Sequence, residues 1–333
     1  MTHTSFWFQF ALWLGCFFHA ERALAAEIRV AADSNCHVFF EGEIKQGDAR
    51  KLKNYIESEK RTIEGQIGEL LCLDSEGGSY IEGLALAKLI MEHQIGTMVR
   101  AGADCLSACA IAFMGGLFWD HGNLYPNRVL DIKARLGFHA PTLVVEDGRY
   151  NRNTVEASYD AAIGAIAELI GLAKTAYGGK QGVIFPLELL AEMLKRKGSD
   201  MYFVTTVGEA NKLDIRLHGV TPPVSISKAM FLNVCDGMAD DIWTNWIVGP
   251  FVFDREKHVK LAETENGMTF TFGAFGEGEE ATHNCVLEVW LVEKRPKSLV
   301  GYFTSGNSTY SARRRLPWQY LFDRGASIST LAP

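Results

Sequence analysis

No lysine or arginine precedes Arg22, no internal repeat or low-complexity tract occurs, and no Cys-x-x-Cys pair stands with a matching second pair. The missing cysteine pairs exclude a tetrahedral zinc site of the usual spacing, and neither a metal nor a cofactor is expected. No apolar run reaches the roughly 20 residues needed to cross a bilayer; the nearly apolar stretch Phe6–Phe18 falls short. Positive charge is also in deficit, with 33 Lys and Arg against 40 Asp and Glu and a net charge of −7. That balance gives no general attraction to nucleic acid or to anionic lipid, so no nucleic-acid partner is expected. The compact basic run Arg313-Arg314-Arg315 reads as a solvated face or an ion-pair site.

What is present is ordinary for a globular protein: 47% hydrophobic and 22% charged residues in a chain of 333, longer than one average domain. Phe6–Phe18 followed by Ala23-Leu24-Ala25 fits a cleaved signal peptide over residues 1–26, with the α-amino group and His3 standing in for a basic start. The expected location is periplasmic or secreted. Loss of the leader, which holds Cys16, leaves Cys36, Cys72, Cys105, Cys109, Cys235 and Cys285. An exported chain permits disulfides, but sequence does not choose among the pairings that six cysteines allow. A Cys235–Cys285 bridge would close the C-terminal part. Cys105 and Cys109 stand four residues apart, near enough for a bridge, although two buried thiols are the plainer expectation.

Residues 27–223 alternate strand-length apolar runs with helical stretches, an α/β pattern. Helices are expected over Tyr159–Ala176 and Pro186–Lys197. Pro222-Pro223 marks a linker. Beyond it, residues 224–333 form an accessory β-rich domain, with strands such as Met268–Phe272 and Cys285–Leu291 between Gly249-Pro250, Glu265-Asn266-Gly267 and Gly276-Glu277-Gly278. Trp243, Trp246, Trp290 and Trp318 are expected in its core.

The chemistry concentrates earlier. The apolar strand Leu70-Leu71-Cys72-Leu73 runs into Asp74-Ser75-Glu76-Gly77-Gly78, then into a segment whose Ile81, Leu84, Ala85, Leu89 and Ile90 recur at helical intervals. Paired glycines after a strand let a backbone N–H approach a substrate with no side chain intervening. Ser107 follows in Cys105-Leu106-Ser107-Ala108-Cys109 and opens an apolar run to Met114; His139 follows in Gly137-Phe138-His139-Ala140-Pro141. A hydroxyl, an imidazole and N–H donors at a helix N-terminus are the parts of an acyl-transfer site. Alone, a serine before a helix is a cap and a histidine is structural. His93, His121 and His218 carry no such motif and read as surface or structural.

That order, extended back to Val38–Ile44 and forward to Asp200–Thr205 with Glu209-Ala210, resembles the Clp-type proteases of the crotonase superfamily over roughly residues 36–220. More narrowly it is similar to exported bacterial members with Cys-x-Ser-Ala-Cys around the nucleophile. The resemblance implies a spiral βαβ core, Ser107 as nucleophile, His139 as general base, Asp200 as the orienting acid with Asp214 next in line, and Gly78 and Ala108 as oxyanion donors. It implies a homo-oligomer acting as a serine peptidase on peptides or unfolded proteins, with the helical excursion after His139 making subunit contacts. Glu76 stands where that family has proline, and Asp104-Cys105-Leu106 where it has small residues. Two other readings are a coenzyme A-dependent crotonase-type acyl-thioester enzyme and a non-catalytic binding or scaffold protein on the same fold.

Overall fold

The computed structural model describes residues 26–30, 36–58, 70–120, 123–141, 148–173, 176–177, 182–183, 185–243, 259–275, 283–305, 308–309 and 313–331. The expected leader up to residue 25, His121, Trp246, Gly249-Pro250 and Gly276-Glu277-Gly278 lie outside them.

The first unit is α/β. Strand β1 (Glu27–Val30) pairs antiparallel with β2 (Val38–Glu41), and after α1 (Asp48–Ser58) come β3 (Leu70–Asp74), α2 (Tyr80–Glu92) and β4 (Gly96–Val99). A short β5 (Asp104–Leu106) leads into α3 (Ala108–Met114), the hairpin β6 (Leu117–Asp120) and β7 (Asn123–Pro126), then β8 (Arg128–Asp131) and β9 (Arg135–Phe138). Next are α4 (Arg152–Ala173), β10 (Ala176–Tyr177), β11 (Gly182–Val183), α5 (Leu187–Lys195), β12 (Tyr202–Phe203), α6 (Val207–Lys212) and β13 (Ile215–His218).

These strands make a six-stranded sheet ordered β1-β2-β3-β4-β8-β13, parallel from β2 onward, and a three-stranded sheet ordered β12-β9-β5. Strands β4 and β8 are buried along their whole length, because a parallel sheet covered on both faces needs near-continuous apolar strands. One face packs Leu71, Leu73, Phe113, Phe138 and Leu169 into the main core. The other buries Cys72, Phe39, Met98 and Val129, and there Cys36 and Cys72 form a disulfide. Helices α2 and α3 cross closely: a Cβ on Gly83 would come within 2.6 Å of the Ala108 carbonyl oxygen.

The second unit adds α7 (Lys228–Trp243) to an antiparallel sheet of β14 (Val259–Thr264), β15 (Gly267–Phe275), β16 (His283–Val292), β17 (Arg295–Ser305), β18 (Ser308–Thr309) and β19 (Arg314–Leu316). Helix α7 buries Phe231, Val234, Cys235 and Met238, a stripe at helical spacing, against Phe270, Phe272, Leu287, Leu299 and Phe303. The Cys235–Cys285 disulfide ties helix to sheet. Trp318 packs on this core, whereas Trp290 is 58% exposed, contrary to its expected burial. No helix among the described residues is long and apolar enough to cross a membrane.

The two units are not joined at Pro222-Pro223 alone. The C-terminal end returns to the first unit: Thr206 and Ser327 form an antiparallel bridge, and the N–H groups of Val207 and Gly208 donate to the carbonyls of Ala326 and Arg324 at 3.0 and 2.8 Å. Ile328 and Leu331 are buried in the first core. The reason is edge satisfaction, since the backbone at Thr205–Gly208 needs hydrogen-bond partners and the terminal segment supplies them.

Candidate active site

The glycine turn and the serine turn are held side by side by backbone bonds. Beyond β3, the Ser75 N–H donates to the Asp104 carbonyl at 2.7 Å and the Leu106 N–H returns to the Ser75 carbonyl at 3.0 Å. Gly77, at φ +106°, lies flat against the serine: an added Cβ would sit 2.7 Å from Ser107 Cβ, 2.8 Å from the Leu106 carbonyl oxygen and 3.3 Å from the Ala108 nitrogen. Only glycine fits there.

Ser107 joins β5 to α3 at φ +56° and ψ −119°, a strained conformation for an L residue, and its side chain makes no capping bond. The helix-cap reading therefore fails. Its backbone is fixed instead, the N–H donating to the Gly137 carbonyl at 2.9 Å and the carbonyl accepting from Ile111 at 3.3 Å. A sharp strand-to-helix turn of this kind lifts a serine hydroxyl out of the sheet.

The donors follow from the bond pattern. Ser75 Oγ accepts the Gly77 N–H at 3.1 Å, while the Ile44 N–H donates to the Gly77 carbonyl and the Ser79 N–H to the Ile44 carbonyl, both at 2.8 Å. Residues 77 and 79 thus face Ile44, and the N–H of the exposed Gly78 between them points the other way. Ala108 is the first residue of α3, so its N–H has no intrahelical acceptor.

His139 follows β9, which runs parallel to β5 with Leu106 opposite Gly137, so Ser107 and His139 leave neighbouring strands at the same sheet edge. The imidazole is half-buried; its Nδ1 is buried and has no hydrogen-bond partner among the described residues. No hydrogen bond joins it to Ser107 Oγ.

No hydrogen bond joins Asp200 to His139, whose Nδ1 has no partner among the described residues. The Asp200 carboxylate is 60% exposed and accepts instead from Arg196 Nη1 at 3.2 Å. Asp214, at φ +51°, makes the turn from α6 into β13, the edge strand of the six-stranded sheet. His218 pairs with Asp131 at 2.9 Å and His93 ends α2.

Three further features shape the site, and the first, a Cys105–Cys109 bridge, was weighed from sequence against two buried thiols as the plainer expectation. Cys105 and Cys109, both fully buried, form a disulfide across Ser107 with 5.1 Å between their Cα atoms. Asp104 and Arg135 face each other across β5 and β9 in a two-pronged ion pair, with Nε to Oδ1 at 2.6 Å and a second contact from Nη2 to Oδ2. The hydrogen bond and charge of Asp104 hold the Arg135 pKa above its ordinary value, with Glu76 adding to the effect. The Ser75 hydroxyl shapes the glycine turn, and its signal was present as a serine two residues before Gly77. The ion pair depends on register and left no sequence signal. Among the described residues no group of His, Cys, Asp or Glu is arranged to hold a metal ion. No family model matches the chain, and no curated protein shows significant similarity to it.

Proposed function

We propose that the chain is an exported serine hydrolase of Clp-type, crotonase-like architecture that cleaves peptides or unfolded proteins. The observation that carries the reading is Ser107: a strained backbone and an uncommitted hydroxyl, pressed against a glycine turn, with two N–H groups left for an oxyanion. Structural serines before helices use their hydroxyls as caps. In the proposed reaction His139 takes the Ser107 proton as Oγ attacks the carbonyl carbon, and the Gly78 and Ala108 N–H groups bind the oxyanion. Collapse breaks the C–N bond, His139 returns the proton to the amine, and water then releases the acyl group by the same steps.

Three disulfides support export to an oxidising compartment. Assembly into homo-oligomers belongs to the same proposal. Exposed Val155, Tyr159 and Ile163, spaced along one side of α4, are consistent with helix contacts between subunits.

The test is reaction with a fluorophosphonate probe, followed by mass spectrometry of the labelled peptide. Ser107→Ala is expected to abolish labelling; undiminished labelling at another residue would overturn the assignment. A second reading, a non-catalytic binding protein, is favoured by the Asp200–Arg196 pair and by the missing Ser107–His139 hydrogen bond. It requires the intact, folded protein to stay unlabelled. The acyl-thioester alternative gains nothing further from the geometry.

A further inference from the structure

The disulfide across the serine does work that neither of the other two can do. Cys105 is the middle residue of β5, in register with Leu136 of β9 and bridged to Ser75, so it is anchored to the sheet on both sides. Cys109 is the second residue of α3, whose seven residues are all buried. The bond between them spans the single residue pair that flanks Ser107 and fixes how the first turn of α3 leaves the strand. Ser107 itself holds a sparsely populated conformation that persists only where its surroundings over-determine it. Two backbone bonds, to Gly137 and from Ile111, are the other local restraints.

We propose that Cys105 and Cys109 are positioning residues whose disulfide holds Ser107 in its reactive conformation and Ala108 N–H in line with Gly78 N–H. This rests on the serine-hydrolase reading for its catalytic consequence, though not for its conformational one. Opening the link lets the 107–109 turn relax towards ordinary backbone angles. The competent population then falls, and with it the rate of the chemical step. Affinity for a probe changes little, because the glycine turn and β9 beside Ser107 are held by backbone bonds of their own.

The experiment compares the oxidised full chain with the C105A/C109A variant, and uses C36A/C72A and C235A/C285A as controls that remove a disulfide elsewhere. Fluorophosphonate labelling at Ser107 is followed over probe concentration to separate saturation from the maximal rate. The expected result is a maximal rate lowered about 10- to 100-fold, at 1.36 kcal/mol per decade, with the half-saturating concentration unchanged and both controls near wild type. Amide hydrogen exchange is measured in parallel and should quicken at residues 107–111 in this variant alone. Cys109→Ser, which keeps the side-chain volume while opening the same link, serves if the double variant does not fold. A folded variant with unchanged maximal rate and unchanged exchange overturns the proposal. If the wild-type chain never labels, the hydrolase reading falls, and exchange at residues 107–111 still decides whether the disulfide holds the turn.

Discussion

Gly77→Ala tests the contact that seats the glycine turn against Ser107. At φ +106° an L side chain is strained by about 1–3 kcal/mol. The new methyl would also lie 2.7 Å from Ser107 Cβ and 2.8 Å from the Leu106 carbonyl, and crowding of this kind costs about 1–3 kcal/mol more. The chain has two ways to respond. If the turn stays in place, the cost falls on stability, about 2–6 kcal/mol against a typical total of about 5–15. If the turn recoils, the proposed Gly78 donor is displaced and reactivity falls by the factor for one oxyanion donor, about 10²–10³.

Gly102→Ala is the matched control. It too has positive φ, +77°, but nothing lies within 4 Å of its Cβ position, so only backbone strain of about 1–2 kcal/mol applies. Urea midpoints and the rate of fluorophosphonate labelling are measured for both. Gly102→Ala should lose a little stability and label normally. A Gly77→Ala protein with wild-type midpoint and wild-type labelling would refute both the contact and its role.

Two further expectations concern the framework. Burial tends to raise the Glu209 pKa, but hydrogen bonds from Thr205 and Thr206, including backbone N–H donors at 2.8 and 2.9 Å, outweigh it and hold the carboxyl below its ordinary value. Its stabilisation is therefore complete above the unfolded value of about 4.3 and is lost as pH falls through the lower folded value. Glu209→Gln should cost about 0.5–2 kcal/mol at neutral pH and little in strong acid, read from urea midpoints at both. Gln319 is 1% exposed, accepts from Leu217 N–H at 2.5 Å and donates to Asn211 Oδ1 and the Ile215 carbonyl at 2.7 and 2.8 Å. Gln319→Ala strands buried polar groups at about 1–3 kcal/mol each, so a loss of about 3 kcal/mol with faster amide exchange in β13 is expected, and an unchanged midpoint would count against this pairing.

The parts of the site that sequence made legible are those governed by local backbone chemistry. Paired glycines after an apolar strand required an open turn, and Gly77 and Gly78 both take positive φ. The serine before an apolar helix required a helix N-terminus, and α3 starts at Ala108. Helix α4 begins at Arg152 rather than Tyr159, because Asn151 Oδ1 accepts from Thr154 N–H at 2.9 Å, a cap that apolar periodicity overlooks. Helix α7 was readable from the spacing of Phe231, Val234, Cys235 and Met238 but was hidden by the strands that follow it. Of the disulfides, Cys235–Cys285 was expected and forms, whereas Cys36–Cys72 was not legible, since those residues meet only through the register of β2 and β3. For Asp200 the spacing gave no sign that its carboxylate would pair with Arg196.

The returning C-terminus changes what a truncation can show about the second unit. Residues 224–316 are bounded at both ends by contacts with the first unit, through the chain at Pro222-Pro223 and through Gln319, Ala326 and Ile328. A cut near Pro223 that separates the fragments removes Ile328 and Leu331 from the core that supports the site, and removes the partners of Val207 and Gly208. The segment Thr205–Gly208 directly follows β12, which pairs with the strand carrying His139. An N-terminal fragment that loses reactivity would therefore report damage to β12 and α6 as readily as a missing catalytic contribution from the β sheet. The informative deletion removes 224–316 and rejoins the chain so that 317–331 is kept. Reactivity retained by that protein would assign the sheet a role outside bond cleavage; reactivity lost from a protein whose first core still folds would place part of the active site on it.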